Sequence, residues 1–207
     1  LHPMGVAARA RNPPRRAAPR RVPPAPSDRF PPASTSSDAL LNRLPLDDRS
    51  VDALPDETRH AITKHWIRRT RSELQVSHVF ARLAPWLRSL GAEPVVVEMM
   101  LRASAQEVEH AEICRKLAQV YGGAKVETPE ITIVMPSFGC DDERLEAALH
   151  VAGLCCINET LATAYIEACL SCSTAPLAIA ANRAHLQEEI DHARLGWAHL
   201  ASRAVTA

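Results

Sequence analysis

Residues 185–200 read HLQEEIDHARLGWAHL. Glu189 and His192 stand three apart, and His185 precedes Glu189 by one helical turn. At about 100° per residue, both histidines fall within about 60° of the Glu189 direction, on the same side of it. The pattern E-x-x-H is weak evidence by itself. Among 15 Glu and 9 His in 207 residues fewer than one such pair is expected by chance, and three occur: Glu57/His60, Glu107/His110 and Glu189/His192. Helix layout has to separate them.

Composition favours helix. Glycine is scarce at 7 residues and aromatics are 4%, while Ala, Leu, Glu and Arg dominate. The formal net charge of zero hides an asymmetry. Residues 1–36 hold seven Arg against the single acid Asp28, with 9 of the 16 prolines, so the remainder is mildly acidic. An acidic body suits a cation site better than nucleic acid. The Pro/Arg-rich start cannot bury enough apolar surface to fold, and residues 1–50 are expected to be a disordered tail ahead of one domain, 51–207. The start has no apolar stretch of a secretory signal, and Met4 is a more natural first residue than Leu1. No uninterrupted run of about 18 apolar residues exists. A cytoplasmic protein with no membrane and no nucleic-acid partner is the expectation. The six cysteines then read as reduced thiols, with Cys169-x-x-Cys172 as small core residues because no second C-x-x-C accompanies it.

Four helices are predicted. Pro55 opens the first and Gly91 ends it, with Pro85 expected to kink or restart it. The second runs from Pro94 to the Gly122-Gly123 stop. About eighteen residues follow, including the apolar ITIVMP, read as one short extended segment outside the bundle. The third helix starts near Asp141-Asp142 and continues to about Cys172. The fourth follows the turn STAP, with Thr174 as its expected cap, and reaches about Arg203. Short, long and short connections are the layout of an all-α, ferritin-like four-helix bundle with one long crossover between helices two and three.

Tight turns bring residues level when they are equidistant from the turn. Glu189 lies 15 residues beyond a turn centred near 174, and its level partner is Glu159. Glu107 lies a similar distance beyond the first turn, and Glu73 is within about 4 Å of rise of the level position. Glu57/His60 has its level position beyond the Gly122-Gly123 stop, so it reads as a solvated first-turn pair. The retained residues lie on apolar stripes, Glu107 and His110 with Met100, Ala103, Ala111, Cys114 and Leu117. Carboxylates on such stripes need cations or other partners.

One Glu from each of helices one and three, with E-x-x-H from each of helices two and four, is the ligand count of a di-iron or di-manganese carboxylate centre. Over roughly residues 56–203 the chain resembles the ferritin-like di-iron carboxylate superfamily, carrying E-x(n)-E-x-x-H twice: Glu73 with Glu107/His110, and Glu159 with Glu189/His192. Where many members have an Asp before the Glu of each E-x-x-H, this chain has Gln106 and Glu188. His185, one turn before the last motif, resembles the arylamine N-oxygenase family, although those enzymes are much longer. That resemblance implies His185 as an extra metal ligand; the residues alone leave it open between a ligand and a buried helix histidine. The implied activity is a non-haem oxidase or oxygenase holding two iron ions, with manganese or a mixed pair compatible. It would use O₂, a small organic substrate and an electron donor, and a homodimer is compatible. The competing expectation is a ferritin- or rubrerythrin-like ferroxidase or storage protein.

Overall fold

The computed structural model describes residues 41–202 and residue 205. Residues 1–40, the greater part of the expected tail, lie outside the described residues. The described residues are all-helical, with four long helices and no strands. We label them α1 (Asp56–Ser89), α2 (Pro94–Gly122), α3 (Glu143–Cys172) and α4 (Pro176–Leu200).

The stops work as the sequence implies. Gly123, with φ at +66°, closes α2, and its N–H donates to the Gln119 carbonyl. Between α1 and α2 the backbone turns through Gly91, at φ +85°. Asp142 caps α3, its side chain accepting from the Arg144 N–H at 2.9 Å. Two local readings are narrowed or corrected. Of the two expectations for Pro85, the restart is excluded: α1 continues through it, with Leu83, Ala84 and Leu87 around it fully packed and holding the last turn in place. Thr174 is not the cap of α4; Ala175 sits there, and the Leu177 N–H instead finds the carboxylate of Asp48 at 2.9 Å. The run ITIVMP lies outside the helices, as expected, and pairs in no sheet.

Residues 41–54, of which the sequence reading gave 41–50 to the tail, lie against the helices. Leu44 and Val51 are buried with Trp66, Leu117, Tyr121 and Leu177. This group is one of two apolar clusters. The other gathers Phe80, Leu83 and Leu87 of α1, Val96 and Met100 of α2, Ala147 and Cys155 of α3, and Leu195 of α4. From cluster membership, α1 and α4 run from the Trp66 cluster towards the Phe80 cluster and α2 runs the opposite way, while α3 has its first half in the Phe80 cluster. The linking residues 123–142 carry Val126 against the first cluster and Met135 against the second. Their far end is fixed by Glu146, whose two carboxylate oxygens accept from the Phe138 and Cys140 N–H groups at 2.7 and 3.0 Å.

Inside α3, residues Val151–Ile157 form a π-helical segment that periodicity did not reveal. Such a widened turn carries an extra residue and often lies beside a functional site. Here it ends two residues before Glu159, and it buries the consecutive Cys155 and Cys156 completely. Across from it stands Gly196 of α4. A methyl group there would come within 2.7 Å of the Cys155 carbonyl carbon and of Cys156 Sγ. Glycine lets α4 approach the widened turn.

By length and average composition α3 is apolar enough to cross a bilayer, with a mean hydropathy of 1.2 over its most apolar window, although it has no unbroken apolar run. One third of that window is buried within the protein. Its exposed side carries Ile157, Leu161 and Tyr165.

Candidate metal centre

Between the two apolar clusters lies a layer of buried polar residues. All seven residues singled out in the sequence, Glu73, Glu107, His110, Glu159, His185, Glu189 and His192, are at most 8% exposed. Glu57 and His60 are exposed in the first turn of α1. Helix register around the layer is fixed by two hydroxyl arrangements. Ser77 and Ser104 each donate to the other's backbone carbonyl, at 2.7 and 2.9 Å, tying α1 to α2 one turn from Glu73 and Glu107. Thr163 Oγ1 lies 2.9 Å from the Glu159 carbonyl and 3.1 Å from that of Glu189, linking α3 to α4.

Glu107, His110, Glu189 and His192 place their ligand-type atoms within 4.8 Å of one another, a set that could hold a metal ion and that resembles the Glu/His core of a di-iron site. The arrangement has an internal two-fold character. His110 Nδ1 faces Glu107 Oε2 and Glu189 Oε1, both at 3.3 Å. His192 Nδ1 faces the other oxygen of each, Glu107 Oε1 at 2.8 Å and Glu189 Oε2 at 3.6 Å. Each carboxylate thus presents one oxygen to each imidazole. The outer nitrogens are held crosswise by the residues preceding the two glutamates. His110 Nε2 lies 2.9 Å from Glu188 Oε2, and His192 Nε2 lies 3.1 Å from Gln106 Oε1. Such outer contacts fix a ring's orientation and leave Nδ1 directed inward.

Glu73 and Glu159 flank this core. Both interact electrostatically with Glu107 and Glu189. Asn158 Nδ2 donates to Glu159 Oε1 at 3.0 Å. Glu73 Oε1 accepts from Arg69, Nη2 at 2.8 Å and Nε at 3.2 Å. Arg69 is the residue that sequence reasoning missed. Its signal was present, a charged residue one turn before Glu73 on the same buried stripe as Trp66, Thr70 and Leu74. Arg69 also donates to Asn182 Oδ1 at 3.3 Å and lies 3.1 Å from His185 Nδ1. His185 meets the His110 ring edge to face, with centroids 4.6 Å apart.

The electrostatics are those of an acid-rich layer out of water. Burial, reinforced by the charges of Glu107 and Glu189, outweighs Arg69 and pushes Glu73 up to about 7. The same burial and the same two carboxylates raise Glu159 well above the carboxylate range. Burial alone would lower His110 and His192, but the surrounding carboxylates win: His110 is raised well above its usual value, and His192 to about 9. Glu189 is correspondingly depressed, because the two imidazoles outweigh its burial. His185 goes the other way, lowered by burial and by the neighbouring Arg69 and His110. A divalent cation would do for this layer what those protons do.

The donor set passes a test of fit. Glu107 Oε1 and His192 Nδ1 form an ion-pair contact at 2.8 Å, but among the described residues neither atom, nor Glu189 Oε2, makes a well-aligned hydrogen bond. Buried polar atoms left in this way are costly, and these converge on one region. Four carboxylates with two inward Nδ1 atoms are hard oxygen and imidazole ligands suited to iron or manganese.

A cavity of about 280 Å³ adjoins the layer between α1 and α3. Its inner wall includes Arg69, Glu73, Glu159 and Glu189, and the exposed Leu161 and Tyr165 stand at its outer side. Comparison with known protein families, curated proteins and solved structures finds no match for this chain.

Proposed function

We propose that this protein is a non-haem di-iron oxidase or oxygenase of the ferritin-like type, acting on a small organic molecule with O₂. The observation that carries the reading is the crosswise core, in which Glu107 and Glu189 each present one oxygen to His110 Nδ1 and one to His192 Nδ1. Glu107, His110, Glu189 and His192 would together hold a pair of metal ions there. Glu73 would complete the His110 side and Glu159 the His192 side. The start of α3 in the Phe80 cluster, where α2 also starts, with residues 123–142 reaching both apolar clusters, supports the crossover bundle that such centres occupy.

When bound, a pair of ferrous ions supplies the electrons and open coordination positions for reducing O₂ and oxidising a bound molecule. The chain's own residues do the rest. Gln106 and Glu188 hold the imidazoles with Nδ1 inward. The packed clusters on either side exclude bulk water. The α1–α3 cavity offers a small, largely apolar molecule a place beside Glu73, Glu159 and Glu189, with Val76, Ala162 and Ile166 as apolar contacts.

The test is metal analysis of protein loaded anaerobically with Fe(II), followed by optical spectroscopy on exposure to O₂. Close to two ions per chain, and an O₂-dependent spectral change without further iron uptake, are expected. Binding of no metal refutes the reading. Continued iron uptake beyond two per chain instead favours the ferroxidase or storage role. Manganese analysis on the same sample distinguishes the metal pair.

A further inference from the structure

The two halves of the centre correspond residue by residue. Glu73 matches Glu159, Glu107 matches Glu189, His110 matches His192 and Gln106 matches Glu188. At one end the correspondence fails. Four residues before Glu73 stands Arg69, whereas four before Glu159 stands Cys155. Four before Glu189 stands His185, and four before Glu107 stands Ala103. Seven before Glu189 stands Asn182, matched by Met100. Met100, Ala103 and Cys155 belong to a single apolar cluster. Their three counterparts form a single hydrogen-bonded group, Arg69 reaching Asn182 Oδ1 and His185 Nδ1 as well as Glu73. The departures from symmetry are therefore a matched set built around one guanidinium.

That set fixes the chemistry of His185. A guanidinium has only donors, so a ring nitrogen 3.1 Å from Arg69 Nη2 must offer its lone pair. His185 Nδ1 is thus the acceptor. A proton on Nδ1 would point N–H at N–H, which excludes both the Nδ1–H tautomer and the doubly protonated ring. The single proton of the neutral imidazole then sits on Nε2, which makes no well-aligned hydrogen bond among the described residues, the His110 backbone acting as an acceptor towards the ring. A protonated Nε2 has no lone pair for a metal, and the lone pair on Nδ1 is in use. His110 and His192 carry a proton on the same nitrogen, their Nε2 held by carboxylate or amide oxygens; what differs is Nδ1, which in them faces carboxylates and in His185 faces a guanidinium.

We propose that His185 is a positioning residue and not a metal ligand: with Asn182 it anchors Arg69, which in turn holds one oxygen of Glu73 and leaves the other for the centre. In its consequence for ligation the inference rests on the metal reading above; the hydrogen-bond assignment does not.

Long-range ¹⁵N–¹H correlation spectra of the histidine rings test it directly, on the full chain before any metal is added. The His185 ring, assigned by its absence from His185→Gln or by its contact with the His110 ring should that variant not fold, is expected as the neutral Nε2–H form. A proton on Nδ1, or on both nitrogens, overturns the proposal. On addition of two equivalents of Zn(II), His110 and His192 should shift through Nδ1 while His185 keeps its pattern. Zinc-induced loss of the His185 Nε2 proton would also overturn it. If no histidine responds to zinc or to Fe(II), the metal reading fails, and the tautomer of His185 still decides the anchoring claim. His185→Gln, whose amide oxygen can accept from Arg69, should bind the same number of ions as the parent. His185→Ala should keep that number but bind about 10-fold more weakly, the lower end of the loss seen when an outer partner of a ligand is removed. Loss of one ion in His185→Gln would show His185 to be a ligand.

Discussion

Replacing Gly196 by alanine tests how α3 and α4 meet beside the centre. The added methyl would stand 2.7 Å from the Cys155 carbonyl carbon, 2.8 Å from its oxygen and 2.7 Å from Cys156 Sγ. Two of those atoms are backbone of the π segment and cannot rotate away. Restoring an ordinary contact of at least 3.4 Å requires the helices to separate locally by roughly 0.7 Å, a displacement that well-packed interiors resist. Overpacking of this kind costs about 1–3 kcal/mol, and often more when the obstacle is backbone. Alanine recovers up to about 1 kcal/mol through helix propensity. A net loss of about 1–2 kcal/mol remains, which for a chain of this size lowers the melting temperature by about 2–8 °C. The control is Gly153→Ala, in the same π segment, where a methyl would meet nothing within 4 Å. It should stabilise by about 0.4–1 kcal/mol through reduced freedom of the unfolded chain. Thermal melts followed by circular dichroism compare the two. The variants should move in opposite directions. If Gly196→Ala melts at or above the parent temperature, α4 does not cross α3 at the π segment, and the placement of Glu159 against Glu189 loses its support.

Three further outcomes are expected. His110→Ala and His192→Ala should each weaken metal binding strongly while His60→Ala is nearly silent; equal losses from all three would contradict the helix pairing. With no metal added, stability should fall as pH rises from about 6.5 to about 9.5. His192, raised from 6.5 to about 9 on folding, contributes in full below about 6.5 and loses that contribution as pH climbs through about 9; Glu73, raised from 4.5 to about 7, acts in the same sense at lower pH, between about 4.5 and 7. Affinity for a divalent metal should rise over the same window, and melts that are flat or rising with pH would refute the protonation assignments. Finally, Asp48→Ala should cost about 0.5–2 kcal/mol by uncapping α4, whereas deletion of residues 1–36 should leave the helical signal intact. A silent Asp48→Ala would show that the segment before α1 is not docked as described.

What was legible in the sequence depended on whether one helix or two decided it. Stops at Gly91, Gly123 and Pro176 are local signals, and the helices begin and end near them. The grouping of Glu107/His110 with Glu189/His192 was reachable because antiparallel helices with tight turns convert sequence distance into height. Features that depend on the cross-section of the bundle left no such trace. The π segment keeps the sequence of an ordinary apolar helix, and its partner Gly196 reads alone as a weak helix residue. The cap of α4 comes from Asp48, 129 residues before Leu177. Arg69 is the most instructive case. Its position one turn before Glu73 was visible, but on a helix surface that spacing reads as an ordinary Arg–Glu pair. Only the packing shows that the pair is buried and that its remaining donors end on Asn182 and His185. The same packing alters the reading of His185. Angular position on α4 places it with Glu189 and His192, and a face shared with two ligand-type residues argues for a third. Direction towards a centre and a free lone pair are separate requirements, however, and the guanidinium across the helix interface removes the second.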